Sequence, residues 1–162
     1  MANVNFTEIA LVDATPSRLA SSAGGGAKPV TKVDVLSTTP VTGDTVVVFR
    51  IPVDAKITSF AYANDDLGTA APGDVGFYRT DSGATVVDAD AIASAIAFGT
   101  ATTTWTEGRF EAANITTAAM PAWELAGLSA RPSYGEFDIA ITWGTINTGN
   151  SGDLACKLEY IQ

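Results

Sequence analysis

Histidine is absent from this sequence. That excludes Ser–His–Asp and Cys–His nucleophilic catalysis and removes the commonest ligand of catalytic zinc. There is a single cysteine, Cys156, so no disulfide can form within one chain, and the redox compartment is not readable from it. Basic residues are scarce: nine Lys and Arg stand against eighteen Asp and Glu, a net charge of −9. Nucleic-acid binding is driven by cations that displace counterions from phosphate, so nucleic acid is not expected as a partner. An anionic membrane is not expected for the same reason. No run approaches the roughly 18 apolar residues of a membrane-spanning helix. The first residues, "MANVNFTEIALVDATPSR", lack the basic start and long apolar stretch of a secretory signal and are not read as one.

What is present is small, apolar and uncharged. Hydrophobic residues make up 46% and charged residues only 17% of 162. Much of the surface must therefore be Thr, Ser, Asn, Ala and Gly, a composition that suits a β-rich protein and argues against disorder. The length suits one domain, large enough to bury about 70% of the surface exposed by the unfolded chain.

Residues 1–26 read as an N-terminal arm and glycine joint, and residues 27–162 as a single domain. The arm carries Val4, Phe6, Ile9, Leu11 and Val12 without one sustained period. "SSAGGGAKP" (Ser21–Pro29) behind it reads as a flexible joint. Two readings stay open: an arm that docks on a neighbouring subunit, with those five residues as its contacts, or a first strand of the chain's own sheet. From Val30 onward, β-type segments recur between turn signals. "VTKVDVL" puts Val33 and Val35 on one face, and "TVVVFRI" suits a strand covered on both sides. "KITSFAYA" and "DVGFYR" are two more. In "EFDIAITW" (Glu136–Trp143) and "LACKLEYI" (Leu154–Ile161) strict alternation predicts half-buried antiparallel strands. The polar "GTINTGNSGD" between them reads as an exposed hairpin tip. Two short helices are expected, one over "DADAIASAIAF" from the spacing of Ala89, Ile92, Ala93, Ile96 and Ala97, the other over "MPAWELAGL". The fold class is all-β: an antiparallel β-sandwich, jelly-roll or immunoglobulin-like in order, with two short helices and an extended arm.

The acidic residues are the candidates for chemistry. In "YRTDSGATVVDADAIASAIAF" (Tyr78–Phe98), Asp81 reads as a turn former with Gly83 free to take positive φ. Asp88 reads as a helix N-cap and Asp90 as a first-turn carboxylate. The alternative is Ca²⁺, held by Asp88, Asp90 and the "NDD" turn of Asn64–Asp66, although the spacing is not that of an EF-hand. Glu136 and Asp138 share a strand face about 7 Å apart, within the range of an inverting glycosidase pair. They are expected instead to point to solvent and pair with Lys157 and Glu159 across the final strand. Cys156 reads as core. Trp105, Trp123 and Trp143 read as core anchors in preference to a carbohydrate-binding face. No catalytic residue, cofactor or metal is expected.

The order "ITSFAYANDDLGT…GDVGFYRTDSGATVVDADAIASAIAF…PAWELAGL…EFDIAITW…GDLACKLEYI", from about Ile57 to Ile161, resembles small head proteins of tailed bacteriophages, and specifically capsid decoration (cement) proteins. The resemblance rests on "GFYRTDSGATVVDADAIAS" and "WELAGL" and supplies no catalytic motif. It implies a structural virion protein on the outer capsid surface, made in the host cytoplasm and released without a signal sequence. Its implied partners are the major capsid protein and further copies of itself, as a homotrimer. The alternative is a receptor- or carbohydrate-binding module of a phage fibre or tail.

Overall fold

The computed structural model describes residues 29–81, 83–109, 117 and 120–162. The arm, with Val4, Phe6, Ile9, Leu11 and Val12, lies outside them. The elements run β1 (Pro29–Thr38), β2 (Thr45–Pro52), β3 (Lys56–Asn64), β4 (Gly68–Thr69), β5 (Pro72–Arg79), β6 (Val86–Ala97), β7 (Thr102–Glu107), helix α1 (Ala122–Leu125), β8 (Glu136–Trp143), β9 (Thr148–Gly149) and β10 (Gly152–Ile161).

Eight long strands form two antiparallel four-stranded sheets, ordered β1-β10-β3-β7 and β2-β8-β5-β6. Four of the pairings nest inside one another along the chain: β1 with β10, β2 with β8, β3 with β7, β5 with β6. The short strands β4 and β9 pair separately.

The two sheets face each other across one core. On β8, Phe137, Ile139, Ile141 and Trp143 point inward, and on β10, Leu154, Cys156, Leu158 and Tyr160 do so. These are the alternating residues of the two clearest sequence patterns. Burying each large apolar side chain contributes about 1.5–3 kcal/mol. Phe60, Phe77 and Phe98 fill the middle, with Phe98 edge-on to Trp143 at 5.2 Å between ring centroids. α1 closes one end. Its Ala122 and Trp123 amides donate to the carbonyls of Ala55 and Val53, and Trp123 packs on the core as expected. Pro121 opens the helix, and Gly127, at φ +70°, ends it.

The structure corrects the sequence reading in several places. "DADAIASAIAF" is strand, not helix. β6 is strongly bulged: Val75 pairs with Ala93 and Phe77 with Asp88, so two steps on β5 are matched by five on β6. The extra residues break the period of 2, and Ile92 and Ala93 are both buried side by side, which imitates helical spacing. Asp88 and Asp90 therefore cap no helix. The loop between β8 and β10 is not a hairpin tip, since these strands lie in different sheets. It crosses between them and pairs through β9 with β4. In the Asp81 turn the positive φ falls on Ala84, at 42°, not on Gly83. Trp105 is 49% exposed and anchors no core. β2 is an edge strand with a bulge at Val47–Phe49, so it is not covered on both sides throughout; Arg50 is exposed.

Candidate functional site

Four of the aspartates singled out by sequence accept backbone amides. Asp81 accepts from the Gly83 and Thr85 amides and from the Thr85 hydroxyl. The Thr85 amide foremost holds its pKa below the ordinary value. Asp88 accepts from the Asp90 amide at 3.3 Å. Burial first, and hydrogen bonding with the Asp90 carboxyl second, push the Asp88 pKa up. Asp66 accepts from Gly68 and Asp65 from Asp153. Asn64 uses its amide on the carbonyls of Asp65, Phe98 and Thr100. Each group serves its own turn or crossing, and among the described residues no three carboxylate or thiol groups gather closely enough to hold a metal.

The Glu136–Asp138 pair is not a solvent-facing acid pair. Asp138 is buried and receives both Nε and an Nη of Arg50, at 2.7 and 3.1 Å. Arg50 lies on β2, the true neighbour of β8. Lys157 and Glu159, expected across from it, belong to the other sheet and pair with each other at 2.7 Å. Cys156 is fully buried as expected. Burial, with the nearby Asp34 charge, pushes its thiol pKa far up, so it is no nucleophile.

What remains as working surface is the outside of the two sheets, and they differ. On the outside of β2-β8-β5-β6, the Tyr78 hydroxyl is hydrogen-bonded to the Thr142 hydroxyl. Tyr78 is in register with Asp138, so its ring spans the position of Ala140, which is fully buried. The bulge of β6 crosses over Gly76, where any Cβ would overlap the backbone of Asp88 and Ala89. This face is closed by its own side chains and its own edge strand.

On the outside of β1-β10-β3-β7 the register sets Val35, Ala155 and Ala63 in one row, and Val33, Lys157, Ala61 and Glu107 in the next. Trp105 lies in the bulge of β7 between Thr102 and Thr106 and is 49% exposed. Val33 and Val35 are 49% and 51% exposed. The sequence showed that these valines share a face; the structure turns that face outward. The inner side of β1 carries Lys32 and Asp34 instead. Lys32 donates to the Arg50 carbonyl at 2.8 Å and lies over the Tyr160 ring, tying the two sheets together. Burial lowers the Lys32 pKa and raises that of Asp34.

The outer face of this sheet thus mixes exposed valines and alanines with the charged Lys157, Glu159 and Glu107. The fold as a whole has solved counterparts. A chain in the capsid of Ralstonia phage GP4 superposes with a TM-score of 0.59 over 87% of each chain, at 17% identity. A chain in the capsid asymmetric unit of cyanophage Pam1 superposes with a TM-score of 0.50, over 90% of this chain and 94% of that one, at 19% identity. At such identities the likeness is one of fold. No protein-family model matches the sequence, and no curated protein does.

Proposed function

We propose that this chain is a structural, non-enzymatic protein of a tailed-phage virion, a decoration or cement protein that sits on the outer capsid surface and bridges neighbouring major capsid protein subunits. The observation that carries the reading is the end-to-end fold likeness to chains of two phage capsids. The strand order supports the finer assignment of a jelly roll: four nested antiparallel pairs are folded into two facing sheets, an arrangement used repeatedly in viral capsids. Asp65, Asp66, Asp81 and Asp88 accept backbone amides and Asp138 is paired with Arg50, which supports a structural use of these groups. The arm residues Val4, Phe6, Ile9, Leu11 and Val12 are the proposed clamp on a neighbour, and a homotrimer on a threefold capsid position is the proposed assembly.

The test is binding of the purified protein to undecorated phage capsids. Saturable binding that strengthens shells against heat or low salt supports the reading; no binding overturns it. A variant lacking residues 1–22 is expected to lose capsid binding while keeping its fold; undiminished binding removes the clamp. Light scattering reads the trimer directly.

The exposed Trp105 favours a second reading, a carbohydrate- or receptor-binding module of a fibre or tail, because exposed indole rings suit sugar faces. Glycan binding abolished by Trp105→Ala, with no capsid binding, would select it.

A further inference from the structure

We propose that the cleft between the end of β1 and the start of β2 seats a carboxamide side chain, an asparagine or glutamine of a partner polypeptide, whose oxygen accepts from the Trp143 indole and whose nitrogen donates to Asp44. The inference goes beyond the virion role and does not depend on it.

The cleft lies at the end of the sandwich away from α1, where the two sheets part. Ser37, Thr38 and Thr39 come from the end of β1 and the residue after it, Asp44 from the approach to β2, and Trp143 from the end of β8. Its volume is about 160 Å³. That is room for a few waters or one short side-chain end, and is below the roughly 300 Å³ of the smallest drug-sized sites. The backbone fixes its floor. The Trp143 amide donates to the Asp44 carbonyl at 2.9 Å, and the Gly43 amide donates to the Trp143 carbonyl at 2.8 Å. Phe98 stands edge-on to the indole and steadies it.

The side chains of this cleft are polar, and the fold does not use them. Trp143 is 2% exposed, and its Nε1–H is buried without an acceptor, a costly state for a donor. Among the described residues no hydrogen bond engages the Ser37, Thr38 or Thr39 hydroxyl or the Asp44 carboxylate. Asp65, Asp66 and Asp74, by contrast, each accept a backbone amide.

The walls select the occupant. An indole N–H only donates, and an ionised carboxylate only accepts. An anion suits the first and is repelled by the second, and by Asp153, which is matched with Ser37 across β1 and β10. A cation suits Asp44 and leaves the indole donor opposed. A sugar ring stacks on an open indole face, and Trp143 presents almost none. A carboxamide carries an acceptor oxygen and a donor nitrogen on one planar head, and the three free hydroxyls can turn to either. Free asparagine or glutamine brings its own α-carboxylate towards Asp44 and Asp153, so the amide of a polypeptide is favoured.

The test follows the Trp143 indole N–H resonance of the ¹⁵N-labelled full chain, assigned with Trp105→Phe and Trp123→Phe variants, as N-acetyl-glutamine N-methylamide is added. A saturable shift is expected, with half-saturation in roughly the millimolar range. Alanine, glutamate and lysine with the same caps are expected to leave the resonance in place. Free glutamine is expected to bind several-fold more weakly than the capped form. Asp44→Ala is expected to weaken binding of the capped glutamine about tenfold, with Cys156 still unreactive to thiol reagents as proof of an intact core. No saturable shift, or an equal shift with any other capped residue, overturns the proposal and leaves the cleft to water. Free glutamine binding as tightly as the capped form overturns the polypeptide source. Undiminished binding to the Asp44→Ala variant overturns the assignment of Asp44.

Discussion

The outer faces of the two sheets are built on opposite principles. On β2-β8-β5-β6 the outward positions are small or polar, yet they are buried: Gly76 lies under the β6 bulge, Ala140 under Tyr78, and Asp138 under Arg50. On β1-β10-β3-β7 the outward positions include two valines and a tryptophan, yet these are half exposed. Hydrophobicity alone would assign the two faces the wrong way round. What decides burial is whether the chain supplies its own cover. The β6 bulge, with three extra residues between Ala93 and Asp88, supplies it on one side. On the other side the described residues supply none.

The comparison can be broken most severely at the closed face. Arg50→Ala leaves the buried Asp138 carboxylate without its cation, and a cost of about 2–3 kcal/mol is expected, below a fully buried pair because Arg50 is half exposed. Urea unfolding reads it, and a loss under about 0.5 kcal/mol would mean that water satisfies Asp138 as well as Arg50 does. Gly76→Ala comes next. Its methyl must displace the backbone at Asp88–Ala89, so about 1–3 kcal/mol is expected, with the bulge loosened in amide exchange. A neutral result would show that the bulge yields easily and that the closure is loose.

The smallest effect tests the inner side of the open-faced sheet. The folded pKa of Asp34 is raised by burial, so the fold favours the neutral acid. The stability it contributes is full below the unfolded value of about 3.9 and is lost as pH rises through the folded value. Asp34→Asn keeps the neutral form at all pH. Its melting temperature should exceed that of the parent at pH 7 and match it below about pH 3. A destabilising substitution at pH 7 would mean that the Asp34 charge is needed, for example by the Val35 amide that it accepts from.

The same contrast explains what was legible in the sequence. β8 and β10 were readable because they are unbulged over their inward residues, and alternation survives intact. β6 was not, because its bulges convert a period of 2 into paired buried residues, and alanine carries little information about either state. Val33 and Val35 were correctly placed together, but their side was not readable. Lys32 and Asp34 occupy the inner positions of an edge strand, where their polar ends find a carbonyl and partial access to water. Asp138 was misassigned because neighbouring strands were taken to be neighbours in sequence; its partner Arg50 lies 88 residues away. That Asp81 holds a turn was readable from the backbone preferences of Asp-Ser-Gly; the helix-capping roles read for Asp88 and Asp90 were wrong, because their segment is bulged strand.

The pairing of β1 with β10 has a consequence for biosynthesis. Pro29 is matched with Ile161 and Thr38 with Gly152, so the first of the described strands to emerge from the ribosome waits for almost the whole domain before its partner exists. At ordinary elongation rates that wait is on the order of ten seconds. Loop closure over such separations also makes the final pairing slow. During that interval β1 is an unpaired strand in a crowded cell, and Lys32 and Asp34 on its inner side make it a poor template for aggregation. The charges that weaken the finished sandwich slightly thus protect the nascent one.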